Sequence, residues 1–518
     1  MRSSSTIALA LLALSTVARA SDGGASLPDG GAPSAVGDGG APAAEVKETS
    51  ALPATPTGTP AERERWLKGR LDEILGRAAL AGAKVGLAVV EVDTGRAVYV
   101  RNDALLLNPA SNVKIVTTAA ALALLGPEYR WKTVLAAEGI HAGSIDGNLY
   151  LRGYGDPSLV SEDLWKMASD LAAQGVKKIG GDLVVDDSFF DAERVGPGFE
   201  QKSEDMPYRA PNGAVSLNYN AVGVTVLPGK GDGAPARVVI EPSSSYFTTI
   251  NEVKTVAAGR TNYAIATREI DGHTEVKVTG VVKVGDAGHL EHRRVAHPDL
   301  YAGYSLRELF SRRGIKVTGA VKNGTAPAGT RALVAHYSQP LGVVVRDVNK
   351  HSNNFMAEQL LKTLGAETGG KPGTWPKGVD AVGKFLDGIG IAKARYKMTN
   401  GSGLYDSNRF TATQLVTILR TAYRDFRFAA DFVGSLALAG ADGTIGHRME
   451  GGIAERWVRA KTGTLDGVSA LSGYAGAQGK LPLAFAILMN ELAGDATHAA
   501  RRAQDAIAEA LVLFLSGK

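Results

Sequence analysis

Apolar positions along this chain change their period three times. Leu67, Leu71, Ile74 and Leu75 recur at three- and four-residue spacing, which predicts one amphipathic helix, with order beginning near Ala61. KVGLAVVEV and RAVYV follow as two β-rich runs, and Asp93-Thr94-Gly95 between them reads as the turn of a hairpin. An apolar, Ala-rich stretch from Ala110 to Leu125 then predicts a buried helix, stopped by Gly126-Pro127.

From about 135 to 330 the pattern shortens. NLYLRG, DLVVDD, VGVTVL, RVVIEP, YAIATREI and EVKVTGVVKV are strand-like runs broken by Gly, Asp and Pro, with one helical segment, EDLWKMASDLAAQ. This reads as a mostly β region inserted into something else. After 340 the helical period returns in NNFMAEQLLKTLG, KGVDAVGKFLDGIG and ATQLVTILRTAYRD. VSALSGYAG and LPLAFAILMN then predict a strand pair, and a last helix covers 496–515. The first and last strands are expected to share one antiparallel sheet flanked by helices. The fold class is thus α/β in the α+β sense, with β-rich material between two halves of one domain.

The N-terminus carries no such periodicity. Arg2, the apolar run Thr6–Val17 and the small-x-small site Ala18-Arg19-Ala20 read as a secretory signal at 1–20. A membrane anchor would need about 20 apolar residues, more than this run holds. Residues 21–60, rich in Gly, Ala, Pro, Ser and Asp, read as a disordered linker. The expected division is 61–135 and 335–518 for one domain and 136–334 for the insert. The mature protein is expected to be periplasmic or otherwise extracytoplasmic, with no membrane span once the signal is cut.

Composition narrows the function. With 57 Lys+Arg against 53 Asp+Glu the net charge is only +4, and no basic block stands out, which argues against nucleic acid as a partner. There is no cysteine, which excludes disulfides, thiol nucleophiles, thiolate metal sites and a cysteine-linked lipid anchor.

Three short motifs carry chemistry. Ser111-Asn112-Val113-Lys114 opens the Ala-rich helix, Ser352-Asn353-Asn354 opens a later one, and Lys461-Thr462-Gly463-Thr464 begins a strand near the C-terminus. The set S-x-x-K, S-x-N and K-T-G is that of serine β-lactamases and penicillin-binding proteins. A serine hydroxyl needs a base, and a lysine three residues on shares its helix face. That lysine serves as base only when neutral, which burial or a nearby cation such as Lys461 promotes. Ser352 can relay a proton to the leaving amine, Asn354 can donate to a substrate carbonyl, and Lys461 with Thr462 can hold a carboxylate. Ser216-Leu217-Asn218 also fits S-x-N, but it falls in the β-rich insert, whereas Ser352 precedes an amphipathic helix.

The chain resembles the D-alanyl-D-alanine carboxypeptidase/endopeptidase family, the class C low-molecular-mass penicillin-binding proteins. The resemblance runs from about 62 to 518 and rests on NPASNVKIVTTAAAL, GYGDPSL, IGGDLVVDDSFFD, AVSLNYNAV, NGSGLYDSNRFTA, LAGADGTIGHRM and RAKTGTL. It implies a transpeptidase-like catalytic domain interrupted by β-rich material between the nucleophile and the S-x-N element. It implies Ser111 as acylated nucleophile, Lys114 as its base, Ser352, Asn354 and Lys461 as further catalytic groups, and Thr462, Gly463 and Thr464 as substrate-binding. The backbone N–H groups of Ser111 and Thr464 would form the oxyanion hole. Peptidoglycan peptides would be substrates and β-lactams covalent inhibitors, with no cofactor and no metal. Relatives that grip the stem peptide with an Asp and a Tyr five residues on would match Asp205, but the second position is Ala210. The middle of S-x-N, often Asp in relatives, is Asn353 here.

The same residues admit other readings. A β-lactamase or esterase of the superfamily would not need the long stretch between Lys114 and Ser352, and a non-catalytic wall-binding protein would not need both lysines and both serines. His351 abuts Ser352, but adjacency does not make a triad, and it reads as a capping or exposed histidine. His289, His292 and His297 do not follow H-E-x-x-H spacing and read as part of a solvated loop.

Overall fold

The computed structural model describes residues 56–494 and 496–517. The secretory signal and most of the expected linker lie outside them. The linker expected over 21–60 ends one residue earlier, since helix α1 (Pro60–Leu75) begins at Pro60. Thr59 caps it, accepting from Glu62 N while the Glu62 carboxylate takes Thr59 N, and Pro60 stands where a missing N–H costs nothing.

Strands β1 (Lys84–Glu91) and β2 (Ala97–Arg101) do join the C-terminal strands. One six-stranded sheet runs in the order β3 (Ala437–Leu438), β4 (Val458–Leu465), β5 (Val468–Ala477), β6 (Lys480–Asn490), β1, β2. Every pairing is antiparallel. Both faces are buried, and β6 shows how: Leu483, Phe485, Ile487 and Met489 point to one core, Ala484, Ala486 and Leu488 to the other. The larger side chains meet α1 and the C-terminal helix α7 (Ala496–Ser516). The smaller ones face a helical layer whose centre is α2 (Val113–Leu125), buried on all sides from Val113 to Leu122. Around α2 pack α3 (Leu341–Lys350), α4 (Asn354–Gly369), α5 (Trp375–Gly388) and α6 (Ala412–Arg424).

The inserted region has its own core. Its largest sheet has five strands in the order Val321–Asn323, Leu183–Asp186, Leu149–Gly153, Lys132–Ala137 and Arg331–Tyr337. The last two, where the chain enters and leaves, pair with each other. Three smaller sheets accompany it. Two helices cover it: Ser161–Ala173, which the sequence predicts, and Pro298–Arg312, which it does not. Helix α3 was likewise not predicted.

Candidate active site

Ser111, the candidate nucleophile, is placed by a tight sequence of local devices. Asn108 Oδ1 accepts from Ala110 N at 2.9 Å, and Ala110 takes a positive φ of 45° before a single 3-10 turn carries Ser111 into α2. Ser111 is partly exposed, whereas Lys114, three residues on, is fully buried. Lys114 Nζ lies 3.1 Å from Ser111 Oγ and 2.7 Å from both Asn354 Oδ1 and the Ser402 carbonyl. A neutral amine suits this set: two N–H groups donate to the carbonyl oxygens and the lone pair faces the serine hydroxyl. Burial drives the Lys114 amine well below the usual lysine range, Lys461 adds to this, and Glu358 opposes it.

The second motif sits between two helices. His351 follows the last residue of α3 as its C-cap and is exposed, as expected of a capping histidine. Ser352 then adopts φ 55°, and Asn353 caps α4 by accepting from Met356 N at 3.0 Å. Asn354, the first residue of α4, gives its oxygen to Lys114 while its Nδ2 donates to the Tyr208 carbonyl at 3.1 Å. Ser352 Oγ accepts from Lys461 Nζ at 2.8 Å.

The third motif lies within a strand rather than at its start, since β4 begins at Val458. The short β3 pairs with Arg459 and Ala460, so its ladder stops just before the K-T-G motif. Lys461 is fully buried and its carbonyl accepts from Asn112 Nδ2 at 3.1 Å, tying the strand to the turn that carries Ser111. Gly463 explains its place in the motif by contact: a Cβ there would stand 2.8 Å from Pro109 O and 3.0 Å from Asn112 Nδ2. The Thr462 hydroxyl bonds that of Thr444 at 2.8 Å, and exposed Thr464 accepts from Arg501 Nη2 at 3.4 Å.

Seven of the expected residues therefore meet at one place: Ser111, Lys114, Ser352, Asn354, Lys461, Thr462 and Gly463, with Thr464 on the adjoining strand edge. Asp205 does not join them. Its Oδ2 accepts from Thr267 N at 2.8 Å and lies 3.8 Å from Arg293 Nε, which holds it inside the insert. Ala210 is buried. Ser216 also stays in the insert, donating to Gly213 O. The histidine group lies there too, with His292 on the strand Leu290–Arg294 rather than in a loop and His297 at a helix N-cap, 3.6 Å from Glu269.

The sequence reading missed what supports this cluster. The loop 400–403 supplies the Ser402 carbonyl, and Gly403 at φ 80° packs where a Cβ would stand 1.9 Å from Ala110 O. Glu358, Thr117 and Thr444 were missed as well. Only the Gly-rich run NGSG hinted at a close backbone approach.

Comparison with known proteins gives the family and the fold. The family model described as the D-Ala-D-Ala carboxypeptidase 3 (S13) family matches residues 67–511. A D-alanyl-D-alanine carboxypeptidase of Actinomadura sp. (strain R39) is 37% identical over 465 residues, covering 86% of this chain and 85% of that protein. The crystal structure of penicillin binding protein 4 from Haemophilus influenzae aligns with a TM-score of 0.72 at 24% identity, over 84% of this chain and 98% of that one. A structure of the same protein complexed with a β-lactam aligns at 0.68 and 23% identity, over 84% and 97%. The family model spans most of the chain and the Actinomadura relative is 37% identical over 86% of it, and the chain belongs to the D-Ala-D-Ala carboxypeptidase 3 (S13) family.

Proposed function

We propose that this carboxypeptidase is a serine-type enzyme that releases D-alanine from peptidoglycan stem peptides, and cuts D-alanyl cross-links, through an acyl-enzyme on Ser111. The observation that carries the reading is the contact of a buried, hydrogen-bonded Lys114 amine with the partly exposed Ser111 hydroxyl at 3.1 Å. Lys114 takes the serine proton as Oγ attacks the carbonyl carbon of the penultimate D-alanine. The N–H groups of Ser111 and Thr464 receive the oxyanion. The Lys461–Ser352 hydrogen bond, 2.8 Å long, supplies a path for a proton to the departing amine. Water then attacks the ester, with Lys114 again as base. Lys461, Thr462 and Thr464 lie on one strand beside Ser352 and suit a carboxylate on the leaving residue.

The same reading makes β-lactams covalent inhibitors, places the enzyme outside the cytoplasm behind a cleaved N-terminal signal, and needs no cofactor or metal. It keeps 61–135 with 335–518 as the catalytic domain and 136–334 as the insert. The pairing of Lys132–Ala137 with Arg331–Tyr337 favours moving each edge outward to include those strands. The test is labelling with a fluorescent penicillin followed by peptide mapping. The adduct is expected on Ser111, absent in Ser111→Ala and slow to release, since losing such a nucleophile costs on the order of 10⁶ in turnover. An adduct elsewhere overturns the assignment, and rapid β-lactam turnover favours a β-lactamase.

A further inference from the structure

Glu358 takes no part in the scheme above. It sits on α4 one turn beyond Asn354 and is fully buried. Its Oε1 accepts from Ser402 N at 2.8 Å, and its Oε2 accepts from Gly401 N at 3.0 Å and Trp375 Nε1 at 2.8 Å. Three donors surround it, the partner set of an anion. Ser402, whose N–H it binds, is also the residue whose carbonyl accepts from Lys114 at 2.7 Å. One residue thus separates the carboxylate from the amine.

That residue has little freedom to move. Thr117 Oγ1 donates to the Gly401 carbonyl at 2.8 Å, and Gly403 is pressed against Ala110 O. The charges around the amine are equally constrained. The charged groups acting on Lys114 are Lys461, which disfavours its protonation, and Glu358, which favours it. Across the Trp375 indole from Glu358 lies Lys362, 4.2 Å from the ring centroid and already paired with Asp191.

We propose that Glu358 is a positioning residue for the base: through Ser402 it aims Lys114 at Ser111, and its charge offsets the ammonium formed when the serine proton arrives. The inference rests on the roles given to Ser111 and Lys114. In that step the Ser111 O–H bond breaks, the proton passes to Lys114 Nζ, Oγ bonds to the carbonyl carbon, and the carbonyl electron pair moves to oxygen. A cation thereby forms inside the protein beside a second lysine. Without the carboxylate the amine would be too weak a base to accept the proton readily.

The test is the pH profile of acylation by a fluorescent penicillin, measured on the whole mature chain. Glu358→Gln is expected to move the rising limb to lower pH by roughly one unit and to lower the plateau by roughly tenfold. Thr117→Val loosens the same loop without touching the charge, so its plateau should fall with the limb unmoved. Glu358→Asp, which withdraws the carboxylate by one methylene, should shift the limb in the same direction as Gln but less. It decides the matter should the Gln protein not fold. An unmoved limb in Glu358→Asp, or in folded Glu358→Gln, overturns the inference. A wild-type protein that forms no Ser111 adduct overturns the functional reading instead, so the two failures are distinct.

Discussion

Lys114 and Lys362 are both fully buried lysines packed in the helical layer, yet their surroundings give them opposite work. Lys362 lies on α4 two turns beyond Asn354, where the insert leans on that helix. Its amine meets a carboxylate, Asp191 Oδ1, at 2.6 Å, the Glu193 carbonyl at 2.7 Å and the Trp375 face at 4.2 Å. Burial pulls its proton affinity down and Asp191 pulls it back. Lys114 meets two neutral oxygens and a hydroxyl, with the field of Lys461 lowering its proton affinity and that of Glu358, which does not touch it, opposing this. Burial is common to both, so burial alone does not make a base. An ion-paired partner makes a rivet between insert and helix, and neutral acceptors with a nearby cation make a proton acceptor.

The largest test of that contrast is Lys114→Met. Acylation should fall by about 10²–10⁴-fold, the usual weight of a general base. In the wild type the acylation rate should rise with pH, because only the deprotonated amine can take the serine proton. The limb should lie well below the unperturbed lysine value of ~10.4, and it should vanish in Lys114→Met. Rapid-quench labelling across pH measures both. Lys362→Met should do the reverse, leaving acylation within about threefold. It should cost stability instead, roughly 2–4 kcal/mol by denaturant unfolding, because Asp191 loses its counter-charge and is only 22% exposed. If the stability and rate effects exchange places, the comparison is wrong.

A middle-sized effect separates Lys461 from both. It donates to Ser352 and shares β4 with Thr462 and Thr464, so a substrate carboxylate seated beside Ser352 would meet it. A charge-assisted hydrogen bond is worth about 1.5–3 kcal/mol. A D-Ala-D-Ala peptide should therefore be cleaved about 10- to 100-fold faster than its C-terminal amide by the wild type, and nearly equally by Lys461→Ala. Equal cleavage by the wild type would refute the carboxylate pocket.

How much of this was readable beforehand follows from where each contribution resides. The lysines, serines and asparagine of the motifs act through their own side chains at fixed spacing, so the sequence displays them. Ser402 acts through its carbonyl, which leaves no side-chain trace beyond the glycines around it. Glu358 acts through a loop more than forty positions away, and nothing along α4 marks it from an ordinary surface glutamate. Asp205 is bound by Thr267, on a strand of the insert, a contact that its position in the sequence does not reveal. The shared sheet was legible because β1, β5 and β6 are continuous apolar runs. Helix Pro298–Arg312 was not, because Gly303 and Ser305 interrupt its apolar face where it packs closely on the insert sheet.

The smallest predicted effect concerns Asn353, between the serine and asparagine of the second motif. Its side chain accepts from Met356 N at 3.0 Å and so caps α4, the helix that carries Asn354, Glu358 and Lys362 alike. Capping needs a short side chain with an acceptor oxygen, which Asp and Asn both provide. An Asp here would also favour the positive end of the helix dipole by a few tenths of a kcal/mol. Asn353→Asp should therefore keep stability within about 0.5 kcal/mol and leave acylation unchanged. Asn353→Ala removes the acceptor, exposes the first turn to fraying and should cost about 1 kcal/mol. Fraying would reach Asn354 one position on but not Lys362 two turns further, so penicillin acylation should slow by a few-fold while the Lys362–Asp191 pair stays intact. Thermal unfolding and labelling rates on the two variants measure this. Equal losses in Asp and Ala would mean that the middle residue is read for its amide and not for its cap.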